Sequence, residues 1–376
     1  MKKIIRKSIA TSIAVFLSVT LSLAQLSGIT NMLSGGTDDA ELMLTEYIRP
    51  LTNSIGANLN GGWYNTAKVH KLGGFDITFT TSVAFTPAEH KTYNLDDLAL
   101  SSGIRYDNTI PPKTFAGAKG AEPTIRYVID VPTMGEQEIV SYDHPGGSGM
   151  NMMINPMINA SIGLVFGTEI GGRYMPTIKF GNKKANSVGL WGICVKHDIK
   201  QWIPGVKNVP VLNMSLMYGF TKLDLHSNIT PLTPDLMGVD PSNVLTSTTD
   251  WDNQSLDMIF KSHTGNFLIS ADLPIVCFYG GAGFSITKAN LNLNGNFPIP
   301  TMVTTPADPN FGEVVVTDAS MVTDPFDIEI KNQDGGTTAP RLNAGIRFKF
   351  AIITLHFDYT WANYSVATVG LGISFR

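Results

Sequence analysis

Residues 341–350 read Arg-Leu-Asn-Ala-Gly-Ile-Arg-Phe-Lys-Phe, residues 354–361 read Thr-Leu-His-Phe-Asp-Tyr-Thr-Trp, and residues 367–376 read Ala-Thr-Val-Gly-Leu-Gly-Ile-Ser-Phe-Arg. Each run alternates. Leu342, Ala344, Ile346, Phe348 and Phe350 fall on one face, and Arg341, Asn343, Gly345, Arg347 and Lys349 on the other. Leu355, Phe357, Tyr359 and Trp361 alternate with Thr354, His356, Asp358 and Thr360. A strict period of two marks strands with one apolar and one polar face. The connections between the runs are very short, so this is an antiparallel up-and-down meander. Upstream, Phe75, Ile77, Phe79, Val83 and Phe85 alternate with Asp76, Thr78, Thr80, Ser82 and Ala84. Ile55, Ala57, Leu59 and Trp63 alternate in the same way, and a further strand is expected there.

Alternation alone does not separate a soluble sandwich from a membrane barrel. Strand length does. Runs of about ten residues match a tilted bilayer crossing, whereas globular strands usually run 5–6. Aromatics near strand ends, namely Trp63, Tyr64, Phe85, Tyr359, Trp361 and Phe375, resemble interfacial girdles. Composition agrees. The chain of 376 residues is 43% hydrophobic and only 15% charged, against about 25% charged in soluble domains. Its mean hydropathy is +0.07, yet no apolar run after the first 30 positions is long enough for a spanning helix. Other candidate strands lie near 123–131, 158–167, 173–180, 187–197, 209–219, 254–261, 265–273 and 277–288, giving about 13 in all. Long polar connections at 86–122, 132–157, 221–253 and 289–340 contrast with the short turns. That asymmetry is typical of an outer-membrane barrel.

Lys2, Lys3, Arg6 and Lys7 precede an apolar stretch from Ile9 to Leu23, and Ser22-Leu23-Ala24 supplies small residues for cleavage. Residues 1–24 are expected to be a cleaved secretory signal peptide. Residues 25–54 then form an N-terminal segment, and 55–376 the barrel. Within the N-terminal segment, Asp38 and Glu41 suggest a capping box. Leu44, Ile48 and Leu51 share a helix face, and Pro50 is expected to end or bend the helix. This short helix is plug-like: it fills the lumen, or else it caps the periplasmic rim.

No chemistry-bearing motif emerges. There is no G-x-S-x-G elbow, and the scattered histidines and the cysteines Cys194 and Cys277 have no metal spacing. A disulfide between the two cysteines stays open. No enzyme activity, metal or cofactor is expected. The chain is net acidic, −4 with its leader, and offers no electrostatic footprint for nucleic acid. Asp76, Arg347, Lys349, His356 and Asp358 fall on polar faces and are candidate lumen-lining or ligand residues.

Asn60-Gly-Gly-Trp-Tyr-Asn-Thr-Ala67, Gly74-Phe-Asp-Ile-Thr78, Val195-Lys-His-Asp-Ile-Lys-Gln-Trp-Ile-Pro204 and the last thirteen residues from Tyr364 resemble an uncharacterised Bacteroidota family of outer-membrane β-barrels. More loosely, the helix ahead of the first strand is similar to the long-chain fatty-acid transporter (FadL) superfamily. That resemblance implies an all-β transmembrane antiparallel barrel of about 14 strands around an N-terminal plug. The expected location is the outer membrane of a Gram-negative bacterium. The expected function is transport of hydrophobic small molecules, with a non-enzymatic scaffold in a secretion or assembly complex as the alternative. Partners are then outer-membrane lipid, a hydrophobic substrate or other outer-membrane proteins.

Overall fold

The computed structural model describes residues 24–181, 185–248, 250–332 and 335–375. The expected signal peptide lies outside them, apart from Ala24. Ten strands form the wall: β1 Phe75–Phe85, β2 Met152–Gly163, β3 Thr168–Phe180, β4 Asn186–Asp198, β5 Leu212–Asn228, β6 Ser255–Asp272, β7 Val276–Asn294, β8 Thr338–Phe350, β9 Ile353–Trp361 and β10 Val366–Phe375. Each pairs antiparallel with the next. β10 pairs with β1, Phe75 opposite Phe375, and the sheet closes.

The barrel therefore has ten strands, not the about 14 that the resemblance implies, and three features of the sequence explain why about 13 candidate runs reduce to ten. The runs at 254–261 and 265–273 are one continuous strand of 18 residues. The run at 123–131 pairs with Gly135–Asp143 in a separate three-stranded sheet. The alternation at 55–63 belongs to the end of the helix and the segment after it, because Leu51, Ile55 and Leu59 are four apart as well as on a period of two.

That helix, α1, spans Thr37–Asn60 and is longer than its apolar stripe suggested. It runs through Pro50 rather than ending there, with the flanking Ile48 and Leu51 buried. Its N-cap is Gly36, not Asp38, and Asp39 instead accepts bonds from the Ser101 backbone N–H and hydroxyl.

The two barrel ends differ. At one end residues 164–167, 273–275 and 351–352 make short turns, and 199–211 a longer one. At the other, 86–151, 229–254 and 295–337 are long. Short turns face the periplasm and long connections the exterior in barrels of this type.

The strands change character along their length. On β6, Phe267 and Ile269 face outward and are exposed, while Ser262, Thr264, Asn266 and Ser270 are buried inside. Nearer the long connections the faces invert: Leu256, Met258 and Phe260 point inward and are buried, with Asp257 and Lys261 on the outer face. β5 inverts at the same level, from outward Leu216 and Tyr218 to inward Leu223 and Leu225. An apolar belt outside a polar interior is a lipid-facing wall. Apolar inside and polar outside is a protein core in water. Strands of 17, 18 and 19 residues exceed the about 9–11 that a tilted crossing needs, so about 25 Å of each, measured along the strand at ~3.3 Å per residue, lies beyond the bilayer. This rim, the long connections and the N-terminal half of α1 share one buried core, which includes Met43, Tyr47, Phe115, Ile125, Phe260 and Leu291.

Candidate functional site: a lumen filled by the N-terminal helix and a strap

The chain passes through its own barrel. Tyr47 packs edge-on against Phe115 and donates to the Gly146 carbonyl, both on the 86–151 connection. Deeper in, Ser54 meets Thr86, and Asn58 donates to the Met153 carbonyl at 2.7 Å. The helix then ends inside the wall. A helix C-terminus leaves carbonyls without intrahelical partners and carries partial negative charge. Two buried arginines meet it. Arg173 on β3 donates to the carbonyls of Leu59 at 2.8 Å and Gly61 at 2.9 Å. Arg341 on β8 donates to the Asn60 carbonyl and to Thr264.

Residues 61–74 continue as an extended strap toward the short-turn end. Trp63 lies under the Arg173 guanidinium, 3.4 Å from ring centroid to Cζ. It also lies against Gly219 of β5, where an added Cβ would come within 2.8 Å of the indole. Tyr64 donates to Asn343 at 2.7 Å. Gly281 sits beneath that hydroxyl, which a Cβ there would approach to 2.9 Å. Gly281, within the glycine-rich run at 280–283, thus makes room for the strap, whereas a Cβ at Gly280 or Gly283 would meet the neighbouring wall strands. Trp63 and Tyr64 are interior residues, not girdle aromatics. Thr66 bonds Asp272. His70 reaches Glu169 through its backbone N–H at 2.9 Å and through Nδ1 at 2.6 Å. Lys196 completes this buried cluster, 2.9 Å from Glu169. The strap turns at Gly73, whose N–H donates to the Gly163 carbonyl, and enters β1.

The residues selected from the sequence sit as follows. Asp76, Arg347, His356 and Asp358 are buried and face the lumen, and Lys349 is half-buried near the short-turn end. Asp76 lies 3.5 Å from Arg347 and accepts from Thr78. Asp358 accepts from Tyr279 at 3.1 Å. His356 and Asp358 share a face, but each finds its contacts elsewhere: His356 lies over Gly370, and neither of its ring nitrogens has a hydrogen-bond partner among the described residues. Leu44, Ile48 and Leu51 are all buried in the core around α1. Sequence reasoning missed Arg173, Glu169, Lys196 and His70. Only the charges at 169 and 173, isolated in an otherwise uncharged run, marked two of them; Lys196 lies among His197, Asp198 and Lys200, and His70 between Lys68 and Lys71. Cys194 and Cys277 are both free thiols. Among the described residues no cluster of histidine, cysteine or carboxylate side chains could hold a metal ion.

Outside the bilayer, His144 is wedged between Tyr47 and Tyr93, accepting or donating at 2.6 Å with the Tyr93 hydroxyl. Burial lowers its pKa, opposed by Glu122, whose carboxylate lies 3.6 Å away.

A closed meander with a lipid-facing belt, short turns at one end and a water-exposed domain at the other defines a β-barrel of the outer-membrane class, here with its lumen occupied by its own N-terminus. The chain belongs to a family of unknown function, DUF6588, whose family model matches residues 1–375. No curated protein matches it. Among solved structures it is similar to the translocator domain of the autotransporter NalP from Neisseria meningitidis (10% identity, 82% of this chain and 89% of that one, TM-score 0.26). It is also similar to the outer-membrane protease OmpT from Escherichia coli (7% identity, 80% and 96%, TM-score 0.28). A third similar structure is the P. putida toluene transporter TodX (8% identity, 81% and 90%, TM-score 0.25).

Proposed function

We propose that this protein is a sealed outer-membrane barrel that anchors a surface domain and acts as a non-enzymatic scaffold for another outer-membrane protein. The observation that supports this most is the continuous occupation of the lumen. α1 fills the outer half and the strap crosses the inner half, each tied by buried bonds to opposing walls. Opening a passage would break the Arg173, Arg341 and Glu169 contacts together. The outer domain shares its core with α1, so the plug and the displayed surface form one unit.

Transport of hydrophobic small molecules is the second reading, and one feature favours it. The outer half of the interior is lined by Leu223, Leu225, Leu256, Met258 and Leu291, so withdrawal of α1 would expose an apolar chamber. Below it, however, the interior is polar and charged, which suits an apolar solute poorly. Reconstitution separates the two readings. The scaffold reading expects no steady conductance in planar bilayers, no uptake of labelled fatty acid or alkyl aromatic into vesicles, and a specific partner on cross-linking in cells. Protein-dependent uptake would overturn it in favour of transport.

A further inference from the structure

Three lysines stand abreast on the outside of the barrel. Lys261 on β6 is directly opposite both Lys222 on β5 and Lys288 on β7. Side chains so placed have Cβ atoms about 5 Å apart, and like charges there repel. Lys222 is 2.8 Å from Asp224, and Lys288 is 4.0 Å from Glu329. Lys261, exposed between them, forms no ion pair among the described residues. The row therefore carries surplus positive charge.

Its height is set by its neighbours. The next outward-facing row toward the short-turn end is Phe220, His263 and Ile286, where the lipid-facing belt begins. Along the same level the register runs from Lys222 to Trp191 and Tyr174, the aromatics of the outer interface. The lysines thus lie where headgroups meet water, on the long-connection side. A second feature lies directly beneath them on the same three strands. Ala282 forms the floor of an apolar trough lined by Leu216, Tyr218, Phe267 and Phe284, and the Phe284 ring lies over Gly265, where an added Cβ would come within 2.8 Å of it. Ala282 is six residues below Lys288, about 20 Å along the strand.

We propose that this face binds one phosphorylated lipid of the outer leaflet, with its phosphate on the lysine row and an acyl chain in the trough. A phosphate would relieve the repulsion among the three ammonium groups, and the small Ala282 side chain leaves room for a chain that a smooth barrel wall would not hold. Charge and shape point to the same ligand from independent positions.

The test is native mass spectrometry of the full chain in detergent, titrated with diphosphorylated lipid A, with the same lipid stripped of its phosphates, and with inorganic phosphate. Wild-type protein should retain one lipid A. K261Q should weaken retention about fivefold, and K222Q/K261Q/K288Q about a hundredfold, at the affinity that one basic residue contributes near an anionic surface. The triple arginine variant should bind like wild type. A282L, which fills the trough, should weaken lipid A binding while leaving the lysines in place. Heat-modifiable migration on gels reports folding; should the triple glutamine variant fail it, K261Q and the arginine variant carry the comparison. The proposal is overturned if the glutamine variants bind within twofold of wild type, or if the phosphate-free lipid binds equally well. It is also overturned if inorganic phosphate binds with the same lysine dependence and the same affinity, because the ligand is then a free anion.

Discussion

Substituting Arg173 tests how the helix is held inside the barrel. R173M keeps the length and apolar stem of the side chain and removes the guanidinium. The losses are two charge-assisted hydrogen bonds, to the Leu59 and Gly61 carbonyls, each contributing about 1.5–3 kcal/mol. The stacking on Trp63 adds about 1–2 kcal/mol. Against this, methionine avoids the several kcal/mol needed to bury a guanidinium. Thr221 still bonds the Leu59 carbonyl at 3.3 Å, but among the described residues no other side chain bonds the Gly61 carbonyl. The net destabilisation is expected to be about 3 kcal/mol. R173K keeps the charge but cannot fork between two carbonyls, so it should fall between, near ~1.5 kcal/mol. Urea unfolding in lipid vesicles, followed by tryptophan fluorescence, gives these values if the transitions are reversible and share one slope. A loss below about 0.5 kcal/mol for R173M, or R173K no better than R173M, would refute the idea that Arg173 secures the helix end.

Three further outcomes follow from the same contacts. E169L leaves Lys196 buried without its carboxylate and should cost about 3–5 kcal/mol, while E169L/K196L should recover most of that; a double-mutant cycle in the same urea assay measures the coupling. G219V forces a side chain into Trp63 and should cost about 1–3 kcal/mol, partly relieved in W63A/G219V, whose melting can be followed by circular dichroism. The His144 ring has a pKa lowered by burial, so the fold holds it neutral while the unfolded chain takes up a proton near pH 6.5. The stability it confers is complete above that pH and declines as pH falls below it. Hydrogen-exchange protection at residues 113–148, corrected for the intrinsic slowing of exchange in acid, should therefore fall between pH 7 and pH 5 in wild type, and H144Q should flatten that dependence.

Much of the architecture was legible because period-two alternation survives even in short windows. The β8–β10 meander and the lumen-facing Asp76, Arg347, His356 and Asp358 were readable for that reason. The strand count was less readable. Within β6 the polar and apolar faces exchange near Lys261, so a single strand reads as two short ones. Pro50 reads locally as a place where the helix ends or bends, but its penalty is outweighed by burial of Leu51, Ile55 and Leu59, and the helix runs on to Asn60. The strap was illegible. Trp63 and Tyr64 look like interfacial aromatics until Arg173, Gly219 and Asn343 are brought beside them, and those partners are more than 100 residues away in sequence.

The most direct test of the central claim, that the chain crosses its own lumen before β1, is the sidedness of two positions. Asp38 is exposed at the long-connection end and Leu72 at the short-turn end. Single cysteines placed there, D38C and L72C, in a background lacking Cys194 and Cys277, can be probed on intact cells with a membrane-impermeant maleimide. The account predicts labelling at position 38 in intact cells and at position 72 only after the outer membrane is permeabilised. Labelling of both positions, or of neither, in intact cells would contradict it.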